Sequence, residues 1–272
     1  MLTLESVGYR YAGAQKPSLQ EVSLELRDGE VVGLVGASES GKTTLCLVAS
    51  GLAPRTIGGR LYGRLLLDGT DAEPLAMDQL AARVGIAFAS PATQLSGVAA
   101  TVYEEVAFGP MNLGLPLPDV IERTDAALAS LRIEALADRD PARLSGGQQQ
   151  LVAIAGLLAL RPGHLVLDEP TAQLDPAGTA MVAEALARLA RDGASILVTE
   201  HKTDLLAGIC SRVVVLDAGR VALDGPADRV LADPRLVELG VAPPAAVRLA
   251  RAARQAGIPA ASLARLAEEL AG

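Results

Sequence analysis

The chain has 272 residues, 50% of them hydrophobic, and its 24 Lys and Arg against 32 Asp and Glu leave a net charge of −8. Such a chain can bury a sizeable core, which excludes wholesale disorder, and its acidity argues against a general nucleic-acid binder. Aromatic residues make up 2% and Trp is absent, so the core must come from Leu, Val, Ile and Ala, with no stacking platform for single strands.

Residues 2–11 and 20–26 alternate as strands, and a turn at 27–30 leads into a short apolar run at 31–35 that reads as a buried parallel strand. Residues 41–50 follow as a helix, ended by Gly51 and Pro54. Residues 61–67 with Asp68-Gly69 read as an edge hairpin, and residues 84–88 as another strand. From 91 to 160 the pattern is helical, with a proline-rich break at 110–118. Strands return at 165–167, 196–199 and 213–216, with helical patterns at 180–190 and 203–209 between them. The alternation implies an α/β fold with a mostly parallel sheet and helices on both faces. Beyond Gly225-Pro226, Ala, Leu and Arg in helical spacing predict a small helical appendage, broken by Pro243-Pro244 and Gly257.

Mean hydropathy is +0.32. The longest apolar stretches, such as residues 151–160, stop well short of the roughly 20 residues that span a bilayer. The first residues, MLTLESVGYRY, carry neither a basic nor an apolar leader region, so no signal peptide is expected. Cys46 and Cys210 read as two buried thiols in a reducing cytoplasm, and His164 and His201 are too few to suggest zinc.

Gly36, Ala37, Ser38, Glu39, Ser40, Gly41, Lys42 and Thr43 fit G-x-x-x-x-G-K-[ST] between a predicted strand and a predicted helix. Glycines let the backbone curl so that its N–H groups converge on phosphate oxygens, and the helix adds its positive end. Lys42 supplies a point charge for the β- and γ-phosphates, Thr44 follows in the same turn, and the Thr43 hydroxyl is a ligand for Mg²⁺. A second apolar strand ends in Asp168 and Glu169; the first carboxylate suits Mg²⁺ and the second suits polarising a water. Ser145, Gly146, Gly147 and Gln148 open a further helix, where a serine cap and two glycine amides form an anion site.

Tyr11, the loop 36–43, Leu144 to Gln148, Asp168-Glu169, Leu174-Asp175 and His201, in that order, make the sequence resemble an ATP-binding-cassette (ABC) ATPase over roughly residues 1–225. The resemblance implies a P-loop NTPase core with an antiparallel β subdomain, an inserted helical subdomain at about 89–160, and the helical appendage at 226–272. It implies ATP and Mg²⁺ as ligands, Glu169 as general base, Asp168 and Thr43 at the metal, and His201 as a switch contacting γ-phosphate. Tyr11 matches the aromatic that stacks on adenine, and Asp175 lies in the loop that crosses the dimer interface. In this family the segment Ser145 to Gln148 binds nucleotide held by the partner, so a working enzyme is a dimer.

Val84-Gly85-Ile86, Pro91 with Gln94-Leu95, and above all residues 101–114 look like the ATPases of energy-coupling-factor (ECF) transporters, the group that includes cobalt- and vitamin-uptake systems. That resemblance implies a peripheral protein on the cytoplasmic face of the membrane, paired with a second ATPase in a homo- or heterodimer. A membrane coupling subunit would dock beside residues 89–110, in a groove apolar within and acidic at its rim, and a substrate-binding membrane subunit would join it. Three positions depart from the family pattern. Ala89 stands where a Gln is usual, Glu39 where Gly is common, and Leu151 where Arg is usual. Glu39 would repel phosphate if turned inward, so it is expected to face solvent or the facing subunit. Other readings are a regulatory partner that binds nucleotide but hydrolyses it weakly, a soluble ABC ATPase of repair or translation, and an ABC importer of another branch.

Overall fold

The computed structural model describes residues 1–256. Its strands in chain order are β1 (Leu2–Tyr11), β2 (Leu19–Leu26), β3 (Val31–Val35), β4 (Gly59–Leu67), β5 (Thr70–Asp71), β6 (Val84–Ala87), β7 (His164–Asp168), β8 (Ser195–Thr199), β9 (Arg212–Asp217) and β10 (Arg220–Pro226). They form two sheets, ordered β2-β1-β4-β5 and β10-β9-β3-β8-β7-β6.

β3, β7 and β8 are apolar almost throughout and buried at every position, as strands covered on both faces must be. Successive side chains point to opposite faces. Val31, Val35, Leu165, Leu167, Ile196 and Val198 therefore join one core cluster beneath the helical insertion. Their alternates Val32, Leu34, Val166, Leu197, Val214 and Leu216 join a second cluster, shared with the antiparallel sheet and the helix Lys42–Ala49. β2 alternates buried and exposed instead, because its sheet covers the core on one side only.

β3, β6, β7, β8 and β9 run parallel, so their carboxyl ends share one edge. The segments leaving that edge carry Gly36, Ala89, Glu169 and His201. This is the edge at which open α/β sheets hold ligands.

Between β6 and β7 the chain inserts the helices Val102–Asn112, Leu117–Ser130 and Gly146–Leu160. The first begins in a reciprocal cap in which the Thr101 hydroxyl accepts from the Glu104 amide while the Glu104 carboxylate accepts from the Thr101 amide. Two details differ from the sequence expectation. Pro110 lies inside that first helix, and the break falls after Asn112, ahead of Pro116. β10, which periodicity did not announce, is an antiparallel edge strand on β9. Arg212 of β9 grips Asp224 of β10 through two 2.6 Å hydrogen bonds and donates a third, 2.8 Å long, to the Glu25 carbonyl of β2. Beyond β10 the helices Ala227–Val230, Arg235–Glu238 and Ala245–Gln255 follow; the expected appendage at 226–272 lies outside the described residues from 257 onward.

Candidate functional site

The phosphate loop follows β3 directly. A Cβ at Gly36 would meet the Leu216 carbonyl oxygen at 2.3 Å, and Gly41 has φ of 107° with the Ser18 carbonyl 2.8 Å from any added Cβ. Both positions need glycine. Lys42 is 7% exposed and curls back over the loop, its Nζ donating to the Gly36 and Ala37 carbonyls at 2.9 Å. Burial pulls the Lys42 ammonium below the ordinary lysine range, while Glu169 and Asp168 act in the opposite direction. Ser40 is buried with a hydroxyl that lacks a partner among the described residues. Thr43 is exposed at the helix start. Glu39 is exposed with φ of 64°, and a left-handed φ is the reason glycine suits that position.

Lys42, Thr43, Thr44, Ser38 and Glu39 line one open cleft of about 350 Å³ together with Glu169 and His201. The β7 terminus supplies Asp168, buried, with Oδ1 accepting from the Thr199 hydroxyl at 2.7 Å. Glu169 next to it has φ of 52°, and its amide donates to the Thr199 hydroxyl at 2.9 Å. His201, exposed beyond β8, places Nε2 2.9 Å from Glu169 Oε1. A carboxylate, an imidazole and an ammonium thus converge from separate strand ends on a cleft floored by a glycine loop. That set can cradle a polyphosphate and remove a proton from a water beside it.

Tyr11 stands beside this cleft. Its hydroxyl lies 3.1 Å from the Thr44 hydroxyl, and its ring meets Tyr9 edge-on at 5.0 Å. Ser145 caps the helix Gly146–Leu160, its hydroxyl accepting from the Gln148 amide at 3.3 Å while Gln148 accepts from the Ser145 amide at 3.1 Å. Ser145, Gly146, Gly147 and Gln148 are not among the residues that line the Lys42 cleft. Asp175 caps the helix Pro176–Arg191, accepting from the Gly178 amide at 2.7 Å. Ala89 offers only a methyl group, and its carbonyl receives the Gln173 side chain at 3.4 Å.

Sequence reasoning missed Glu200 and Lys202, which flank His201 and grip the loop at Thr171. It also missed Gln150, fully buried, which donates to the Phe88 carbonyl at 3.3 Å. A carboxylate directly after the apolar run of β8, beside His201, was the available signal for Glu200.

A second cleft, of about 430 Å³, runs between the helical insertion and β6. Phe88, Leu95, Phe108, Val152 and Leu157 line it, with Glu105 as its acidic member. The Glu105 carboxylate is engaged by the Ser96 amide at 2.6 Å and the Ser96 hydroxyl at 2.7 Å.

Residues 19–172 match the family model described as ABC transporter. The cobalt import ATP-binding protein CbiO of Rhodobacter capsulatus is 39% identical over 277 residues, covering 100% of this chain and 96% of the relative. A putative ABC transporter ATP-binding protein of Methanosarcina acetivorans is 41% identical over 91% of this chain, which spans 41% of that relative's length. Among solved structures, CbiO1 of Clostridium perfringens, described as part of the ABC transporter complex cbiONQ, superposes with a TM-score of 0.74 at 33% identity, covering 87% of this chain and 92% of that one.

Proposed function

This chain belongs to the ABC transporter ATPase family, and from that premise we propose that it is the ATP-hydrolysing subunit of an ECF-type importer, coupling ATP binding and hydrolysis to uptake of a vitamin or a metal ion through membrane partners. The observation that carries the reading is the Lys42 cleft with Glu169 and His201 2.9 Å apart at its mouth.

The loop amides after Gly36 and the Lys42 ammonium bind the phosphates of ATP, and Tyr11 offers its ring to the adenine. Lys42 must leave the Gly36 and Ala37 carbonyls to do so, exchanging two neutral acceptors for anionic ones, which bind an ammonium more strongly. The donor set fits Mg²⁺: an exposed Thr43 hydroxyl and an Asp168 carboxylate with one oxygen on Thr199 and the other without a hydrogen-bond partner among the described residues. When bound, the ion neutralises charge on the β- and γ-phosphates. Glu169 takes the proton from the attacking water. His201 orients that carboxylate and reaches the γ-phosphate.

Residues 1–225 form the nucleotide-binding domain, with the helical subdomain at about 89–160 and the appendage after it. Because Ser145, Gly146, Gly147 and Gln148 do not line the chain's own cleft, we assign them to the site of a facing cassette, with Asp175 on the loop between the two. The apolar cleft at Phe88 and Phe108 receives a coupling helix of a membrane subunit. Among the described residues no helix is long and apolar enough to cross a membrane; in this reading the chain is held peripherally at the cytoplasmic face by its membrane partners. Ala89 is the motive for the reading of a weakly hydrolysing regulatory partner; the Glu169–His201 pair favours an active enzyme.

Glu169→Gln tests the proposal. Turnover in the assembled transporter should fall on the order of 10² to 10⁴-fold, the scale of a lost general base, while ATP still drives pairing of cassettes. Wild type that turns over no faster than this variant contradicts it.

A further inference from the structure

His201 reaches into the nucleotide cleft, but its two neighbours turn to the other side of the strand end. Glu200 is 3% exposed, and its Oε1 accepts from both the Thr171 amide at 2.9 Å and the Thr171 hydroxyl at 2.6 Å. Lys202 donates from Nζ to the Thr171 carbonyl at 2.8 Å and lies 3.2 Å from the Thr179 hydroxyl. The amide, hydroxyl and carbonyl of Thr171 are therefore all held by the residues on either side of His201. A carboxylate buried this far is costly unless every hydrogen bond it needs is made, and these are made to the loop.

Residues 171–175 form that loop, and its far end is fixed by the Asp175 cap. Its middle touches the turn that opens the helix Gly146–Leu160. A Cβ on Gly146 would lie 2.6 Å from Gln173 Oε1, and one on Gly147 would lie 3.2 Å from the Gln173 carbonyl. Gln173 also donates to the Ala89 carbonyl, at the segment that enters the helical insertion. At its near end the loop begins just after Glu169, whose left-handed backbone persists only where the surroundings impose it.

We propose that Glu200 and Lys202 are positioning residues that lock the loop 171–175 to the segment carrying His201, so that the nucleotide cleft sets the position of the Ser145–Gly147 turn. This deepens the reading above and rests on it, since the turn matters to turnover only if it serves a facing cassette. Neither residue is among those that line the Lys42 cleft. Their effect passes through His201 and Glu169 on one side and Gln173 on the other.

The test uses Lys202→Met and Glu200→Leu, with Glu200→Gln as the conservative change, because a carboxamide oxygen still accepts both Thr171 hydrogen bonds. ATP turnover is measured in the assembled transporter and ATP affinity by direct binding to the purified chain. Lys202→Met and Glu200→Leu should lower kcat by about tenfold or more, the scale of a small misplacement of catalytic groups, with ATP affinity unchanged. Glu200→Gln should recover most of the rate. An unchanged kcat in Lys202→Met, a parallel loss of ATP affinity, or a Glu200→Gln chain as slow as Glu200→Leu would overturn the proposal. Lys202 is exposed, so its variant decides the matter if Glu200→Leu does not fold. Amide exchange over residues 171–174 reads the lock without turnover. Faster exchange in Lys202→Met supports it and unchanged protection overturns it, even if Glu169→Gln shows that the transport reading is wrong.

Discussion

At Ala89 a methyl group occupies the position just past β6 where the family resemblance calls for a carboxamide. Ala89→Gln is expected to raise ATP turnover in the assembled transporter, measured as phosphate release; unchanged rates would remove the missing side chain as a limit on hydrolysis. Glu39 is a different kind of departure. Its side chain is exposed on a residue with φ of 64° and lines the open Lys42 cleft, so it adds negative charge there and leaves the loop amides in place. Residues whose chemistry depends on neighbours in the chain were legible from sequence: Lys42 in its glycine loop, Asp168 and Glu169 at a strand end, Ser145 ahead of a helix. The partners of Thr171 were not, because Glu200 is far from it in sequence and meets it only when β7 and β8 pair.

Among the elements, the strands with long apolar runs were readable because burial on both faces leaves no polar alternation to blur them. β10 was not. Its burial follows no clean period, and its place is secured by the Arg212–Asp224 pair and by β9 rather than by its own pattern. At the opposite end of the sheet, His164 opens β7 at 2% exposure, with Nδ1 3.2 Å from the Ser195 hydroxyl of β8 and Nε2 3.2 Å from Asp68, between β4 and β5. Burial, the dominant cause, pushes its pKa below the ordinary imidazole value although Asp68 pulls it upward. The unfolded chain therefore binds a proton that the folded chain resists. Stability from this residue is complete above a pH of about 6.5, the unfolded value, and is lost as pH falls from there through the folded pKa. The urea midpoint should drop over that window and drop less in His164→Asn. Equal pH dependence in the two chains would show that His164 titrates alike in the folded and unfolded states.

On the scale of the whole molecule, a chain rich in apolar residues, with no long apolar helix among its described residues, is accounted for by a sheet that feeds two cores. One lies under the helical insertion, the other against the antiparallel sheet. Some apolar surface is left over, in the cleft between β6 and the insertion and at Phe108, Met111, Leu117 and Ile121, which stay exposed. Composition alone could not say where that surface falls, since it depends on how the helices pack. The acidic balance does not oppose phosphate binding, because the groups we propose for it are local: loop amides, Lys42 and a helix start.

In the function proposed above, this chain holds two half-sites, the Lys42 cleft for its own nucleotide and the Ser145 turn for that of a facing cassette. Ser145→Arg tests it most directly, with turnover measured in the assembled transporter and ATP affinity measured on the purified chain. Turnover should fall by about 10² or more, as for a lost anion-stabilising group, while ATP affinity stays that of the wild type. Full turnover in this variant, or a loss of ATP affinity in step with the loss of rate, would contradict it.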